Sequence, residues 1–174
     1  ADGKISLREA ITAANNTTGT DTLTLPAGTY TLSAGDLIVT KALIINGASS
    51  ATTTISGNLA SRIFSTGSAS LTLTNMTLTR GRASTGNGGA ILRTTGTLKL
   101  TSVILDDHAA SNGHGGAVYG TGGTYTWTTV TLSNNRAGLS GGAVYKSAGS
   151  LRLTGVTLSN NQAANGSGGA VWFT

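Results

Sequence analysis

The tripeptide Gly-Gly-Ala occurs four times in the second half of the chain, beginning at Gly88, Gly115, Gly141 and Gly168, at spacings of 27, 26 and 27 residues. The text between the tripeptides repeats with them. In register, the segments starting at Leu71, Leu98, Tyr125 and Leu151 read LTLTNMTL, LKLTSVIL, YTWTTVTL and LRLTGVTL. A fixed period in this range means that one structural unit is stacked many times. Each unit alternates apolar and polar residues at period two, which is the pattern of strands and not of helices. One strand-rich turn per ~27 residues predicts an all-β fold, a parallel β-solenoid of about six coils whose neighbours hydrogen-bond at ~4.8 Å.

The columns of such a stack follow from alternation. Leu71, Leu98, Tyr125 and Leu151 point inward, as do Leu73, Leu100, Trp127 and Leu153. Met76, Val103, Val130 and Val156 form a third inward column, and Leu78, Leu105, Leu132 and Leu158 a fourth. Thr74, Thr101, Thr128 and Thr154 form an outer ladder. Beyond the last leucine comes a polar corner, where Asn134 meets Asn160 and Asn135 meets Asn161; stacked amides can hydrogen-bond from coil to coil.

Residues 5–16 are the helical exception. Ser6 and Glu9 make an S-x-x-E capping box, and Leu7, Ala10, Ile11 and Ala14 fall on one stripe. A short amphipathic helix ahead of a solenoid is expected to cover the open core and block strand addition. Residues 17–70 then read as less regular first coils and 71–174 as the regular repeats, all within a single domain of 174 residues. The chain begins at Ala1 without Met and breaks off inside a new coil at Thr174, which reads as a piece of a longer protein. The apolar cross-section there, with Ala170 to Phe173 at its edge, is expected to associate end to end with another surface.

Composition narrows the function classes. Only 10% of residues are charged, against ~25% in ordinary soluble proteins, so polar ladders must solvate the outer wall. Lys and Arg number 11 against 6 Asp and Glu, a net charge of 11 − 6 = +5. No basic run interleaved with aromatics occurs, which argues against nucleic acid, while an acidic polysaccharide or anionic cell surface remains electrostatically compatible. There is no cysteine for a disulfide or a thiolate metal site, and no apolar run approaches the ~20 residues of a membrane span.

The stretches DGKISLREAITAANN from Asp2 and TLTLPAGTYTLS from Thr22 resemble the N-terminal domain named for its Cys-Ser-Leu-Arg-Glu-Ala motif, found in large bacterial secreted or surface proteins. The similarity continues through Leu37 to Gly47 and Ser61-Arg62-Ile63-Phe64. The Gly-Gly-Ala units resemble the repeats of polymorphic outer-membrane proteins. Ile5 stands where the motif has its Cys. The resemblance implies a right-handed parallel β-helix of the pectate-lyase-like kind and a secreted or cell-surface location. It implies no reaction and no cofactor, since fold does not supply function.

Three constellations carry possible chemistry. Asp106-Asp107-His108 with His114 echoes the active site of pectin-cleaving β-helix hydrolases, and carboxylates beside a histidine are also a metal-ligand pattern. The register argues against both, because each residue falls in a polar corner column and Arg80 on the adjacent coil is expected to pair with Asp107. Asp106, Asp107 and His114 are thus the catalytic candidates, on a lyase or glycoside-hydrolase reading that ranks second. The second constellation is the column Leu92, Tyr119, Tyr145 and Trp172 beside β-branched Ile91, Val118, Val144 and Val171. If the branched column is inside, the aromatics face outward, either as a strip for sugar rings or as a ladder between coils. The third is the outer threonine wall, a candidate ice-binding surface interrupted by Lys99 and Arg152. The leading expectation is a non-catalytic stalk, scaffold or adhesin module, with polysaccharide or cell-surface glycan as its partner.

Overall fold

The computed structural model describes residues 5–174, and the solenoid is as the repeat requires. Three parallel sheets run along the stack. The long-strand sheet is built from Asp21–Leu25 with Gly28–Thr31, Leu43–Gly47 with Thr53–Ser56, Leu71–Thr79, Thr97–Asp106, Thr124–Ser133, and Ser150–Thr154 with Thr157–Ser159. These make six levels, hence five full turns. A second sheet of two-residue strands joins Arg82–Ala83, Ala109–Ala110, Arg136–Ala137 and Gln162–Ala163. The third contains Leu37–Ile38, Phe64–Gly67, Ile91–Arg93, Val118–Gly120, Val144–Lys146 and Val171–Phe173. Pairing follows the sequence columns residue by residue, with Leu71, Leu98, Tyr125 and Leu151 in one register.

The Gly-Gly-Ala signature has a separate reason at each position. Its first glycine adopts φ between 63° and 71°, the left-handed region that β-carbons disfavour. At the second glycine, a Cβ on Gly89, Gly116 or Gly142 would fall on the carbonyl of Gly116, Gly142 or Gly169 in the coil below. The alanine is buried at Ala90, Ala117 and Ala143. Corner geometry, close approach and a small core side chain thus fix the three letters.

The long strands carry a bend that simple alternation does not predict. Asn75, Ser102, Thr129 and Gly155 share a column at φ 52–60°, which turns two consecutive side chains outward and resets the phase before Met76, Val103, Val130 and Val156. A β-branched residue there is strained, and Thr129 is exposed with no packing reason to stay. Thr129→Gly, the residue type already present at Gly155, is expected to stabilise the protein by about 1 kcal/mol. A rise in the midpoint of urea unfolding at constant m value checks this, and a fall refutes it.

The helix spans Leu7–Asn15, with Ser6 and Glu9 forming the reciprocal capping box and Leu7, Ile11 and Ala14 buried. Its side chains also finish the third sheet. Asn15 Nδ2 donates to Ile38 O (2.8 Å) and Thr40 N–H donates to Asn15 Oδ1 (2.9 Å), so one carboxamide stands in for the peptide group of a missing strand. Arg8 Nη1 donates to Asp36 O (2.7 Å) from the same helix. In the level that holds Ser150–Thr154 and Thr157–Ser159, Leu153 and Leu158 are 39% and 40% exposed, whereas Trp127 and Leu132 one level above are fully buried.

Candidate functional site

The corner after each long strand places the acidic pair. Asp106 lies in register with Thr79, Ser133 and Ser159. Its Oδ1 accepts from Ser133 Oγ (2.7 Å) and Asn134 Nδ2 (2.8 Å), both from the coil below. Asp107 occupies a second left-handed column with Arg80, Asn134 and Asn160, at φ 53–57°. Its ion-pair partner is Arg82, at 2.8 Å, and not Arg80. Arg80 shares the left-handed turn and is exposed, whereas Arg82 starts the next strand and reaches both Asp107 Oδ1 and Asp107 O (2.6 Å).

His108, expected at a polar corner, is buried instead. Gly81 N–H donates to Nδ1 (2.9 Å), and Nε2 is the donor to Leu78 O (3.0 Å), which fixes the neutral tautomer. Burial lowers its pKa to about 4, with the hydrogen bond to Leu78 and the Asp106 and Asp107 charges acting weakly in the other direction. Asn135 repeats the arrangement one coil down: its Oδ1 accepts from His108 N–H (3.1 Å) and its Nδ2 donates to Leu105 O (3.0 Å). Asn161 repeats it again, accepting from Asn135 N–H (3.1 Å) and donating to Leu132 O (2.8 Å). The stacked amides expected from the sequence are therefore a three-level ladder with His108 at its head.

His114 belongs to a different ladder. Its N–H donates to Asn87 Oδ1 (2.8 Å), its Nδ1 accepts from Ser140 N–H (3.2 Å), and Ser140 Oγ accepts from Ser167 N–H (3.2 Å). The ring packs 4.4 Å from Tyr145, not against a carboxylate. Asp106, Asp107 and His114 thus have separate partners, and no hydrogen bond joins the histidine to either acid. Among the described residues no three His, Asp or Glu side chains lie together as a metal site would need.

The aromatic column faces outward and is half-buried, while Ile91, Val118 and Val144 are buried. Tyr119 stacks on Tyr145 (5.2 Å, 9°) and Tyr145 on Trp172 (4.3 Å, 6°). Because the rings stack along the solenoid axis, they cover one another's faces and present edges to solvent. On the threonine wall, Lys99 lies between Thr72 and Thr126 and Arg152 follows Thr126, so charges interrupt that column as expected.

Sequence reasoning did not single out the densest charged cluster. Arg93, Gly120 and Lys146 occupy one inward column, and both cations are buried. Lys146 Nζ donates to Gly122 O (2.8 Å), Gly123 O (2.9 Å) and Ala148 O (2.7 Å) and lies 4.1 Å from the Tyr125 ring centroid. Arg93 bonds Thr95 O and Ala69 O and sits 5.4 Å from the same ring. A Cβ on Gly120 would fall on the Tyr125 hydroxyl, so the tyrosine fills the level that the glycine vacates. Burial lowers the pKa of both cations and raises that of Tyr125; the Arg93 charge also lowers Lys146. The available signal was the column itself: a glycine between two inward cations, at the level where tyrosine replaces leucine.

Among the described residues no helix is long and apolar enough to cross a membrane. Residues 129–147 match the Chlamydia polymorphic membrane protein (Chlamydia_PMP) repeat. The matched stretch runs from the bend of one long strand, through its asparagine corner and Gly-Gly-Ala, to Ser147, and so covers part of one coil; the Ser6 to Ala10 block lies outside it. No curated protein and no solved structure matches the chain.

Proposed function

We propose that the chain is a non-catalytic β-solenoid module of a secreted or cell-surface protein, acting as a stalk or scaffold. One observation carries the reading: Asp106, Asp107, His108 and His114, the groups that acid–base or metal chemistry would use, are each engaged in bonds between coils. His108 and His114 each cap a backbone N–H, Asp106 and Asp107 bond neighbouring coils, and Lys146 caps three carbonyls. The matched repeat supports a surface location, in line with the resemblance at the N-terminus. End-to-end association through the level that holds Val171–Phe173 belongs to the same reading.

A glycan-contacting role rests on the outward edges of Tyr119, Tyr145 and Trp172. Edge contact forgoes the ring stacking that makes aromatic strips bind sugars, so any such contact is weak. The test pairs two assays. Incubation with polygalacturonate and other uronides is expected to release no reducing ends or unsaturated products. Products lost in Asp107→Ala would replace this reading with a polysaccharide-active enzyme. On a glycan array, retention that disappears in Tyr145→Ala would make the module an adhesin and not a spacer.

A further inference from the structure

We propose that the inward corner column around Gly120 binds a small monovalent anion of the halide class, held by the Arg93 guanidinium and the Tyr125 hydroxyl. The inference is independent of the stalk reading. It concerns interior coils, whose strands pair with a neighbour on both sides.

The first observation is charge. Arg93 and Lys146 are 1% and 0% exposed and stand two levels apart in one column, about 10 Å at the spacing of paired strands. Buried charges are ordinarily paired with an opposite charge. The ion pairs among the described residues join Arg62 to Asp36 and Arg82 to Asp107, so neither buried cation has an acid. Loop carbonyls solvate them in part. Lys146 spends its three N–H groups on Gly122, Gly123 and Ala148, and Arg93 spends Nε and Nη2 on Thr95 and Ala69. Carbonyl dipoles offset desolvation but leave the net positive charge in place.

The second observation is a shortage of acceptors at the same place. Arg93 Nη1 and the Tyr125 hydroxyl are both buried, and neither has a hydrogen-bond partner in the chain. The glycine between the cations brings these groups together, because a Cβ on Gly120 would meet both the Tyr125 hydroxyl and Arg93 Cγ. Both charges are close to the same ring: the Arg93 guanidinium carbon is 5.4 Å and Lys146 Nζ 4.1 Å from the Tyr125 centroid. A water there brings two further protons to a site that already holds more donors than acceptors. A halide brings a negative charge and acceptor capacity and no protons, which answers both deficits. Close packing around Gly120 favours a one-atom ion over sulfate or a carboxylate. The route in is short, since Thr94, Thr95 and Thr121 in the loops that close the corner are exposed.

The test is thermal unfolding of the chain in sodium chloride or sodium bromide, each titrated against sodium gluconate at constant ionic strength. The melting temperature should rise saturably with either halide, by about 3–5 °C at ten times the half-saturating concentration. Tyr125→Phe removes one donor and keeps the ring, and it should raise that concentration roughly tenfold. Arg93→Met should abolish the halide dependence. A separate readout needs no variant: in crystals of the parent chain grown in sodium bromide, an anomalous peak should lie within hydrogen-bond distance of Arg93 Nη1 and the Tyr125 hydroxyl. An equal rise in parent and Arg93→Met marks a general salt effect and overturns the proposal. If Arg93→Met does not fold, an unchanged half-saturation in Tyr125→Phe overturns it instead. Bromide peaks at the surface alone, an adventitious ion only, do the same.

Discussion

Lys146→Ala is expected to unfold at a temperature about 10 °C below the parent chain. The ammonium is fully buried and is the donor to three corner carbonyls, those of Gly122, Gly123 and Ala148. Each carbonyl stripped of its donor inside the fold costs about 1–3 kcal/mol, less where water enters the vacated space. A total of about 3–4 kcal/mol converts to that temperature at about 2–4 °C per kcal/mol for a chain of this size. Two further variants separate charge capping from packing. Lys146→Met keeps the apolar stem but has no donor, and it should fall nearly as far as alanine. Lys146→Arg should retain most of the stability, because Arg93 already caps the carbonyls of Ala69 and Thr95 from the same column. If methionine restored the parent melting temperature, the carbonyl cap would not be what the lysine contributes.

That buried cluster marks the boundary of what the sequence could disclose. The apolar columns were legible because a leucine at period two has one stable destination, and the same columns in four successive units left one register. The helix was legible from its capping box and stripe. What escaped was the partner of an inward polar side chain, since alternation gives a direction and not a bond. Lys146 lies beside Tyr145 in an alternating strand, and its inward direction alone did not reveal that loop carbonyls await it there. Asp107 illustrates a second limit. A column fixes which residues are neighbours but not where a left-handed turn aims them, so Arg82 and not Arg80 forms the pair. For the aromatic column, the outward direction was conditional on Ile91, Val118 and Val144 lying inside, as they do. The stacking of the rings depends on torsions that no pattern records.

His108 supplies the other large effect, because its position in the ladder requires a neutral ring. Nδ1 must stay unprotonated to accept from Gly81 N–H while Nε2 donates to Leu78 O. In the unfolded chain the imidazole titrates near 6.5, and in the fold burial holds it at about 4. The native state therefore binds fewer protons than the unfolded state between those values, so this contribution is fully present above pH 6.5 and is lost as pH falls toward 4. At about 1.4 kcal/mol per pH unit the loss amounts to roughly 3 kcal/mol at pH 4, or on the order of 10 °C in melting temperature. The control is already written in the chain. Asn135 and Asn161 carry out the same accept-and-donate task one and two coils lower without titrating. His108→Asn should therefore fold, retain most of its stability at pH 7, and show a much flatter melting temperature between pH 6.5 and 4. His108→Ala should lose about 2–4 kcal/mol at pH 7, with the Gly81 N–H and Leu78 carbonyl left unpaired. Should the asparagine variant keep the parent's acid slope, the slope would belong to the carboxylates, and the ladder histidine would not be the group that couples this solenoid's stability to pH.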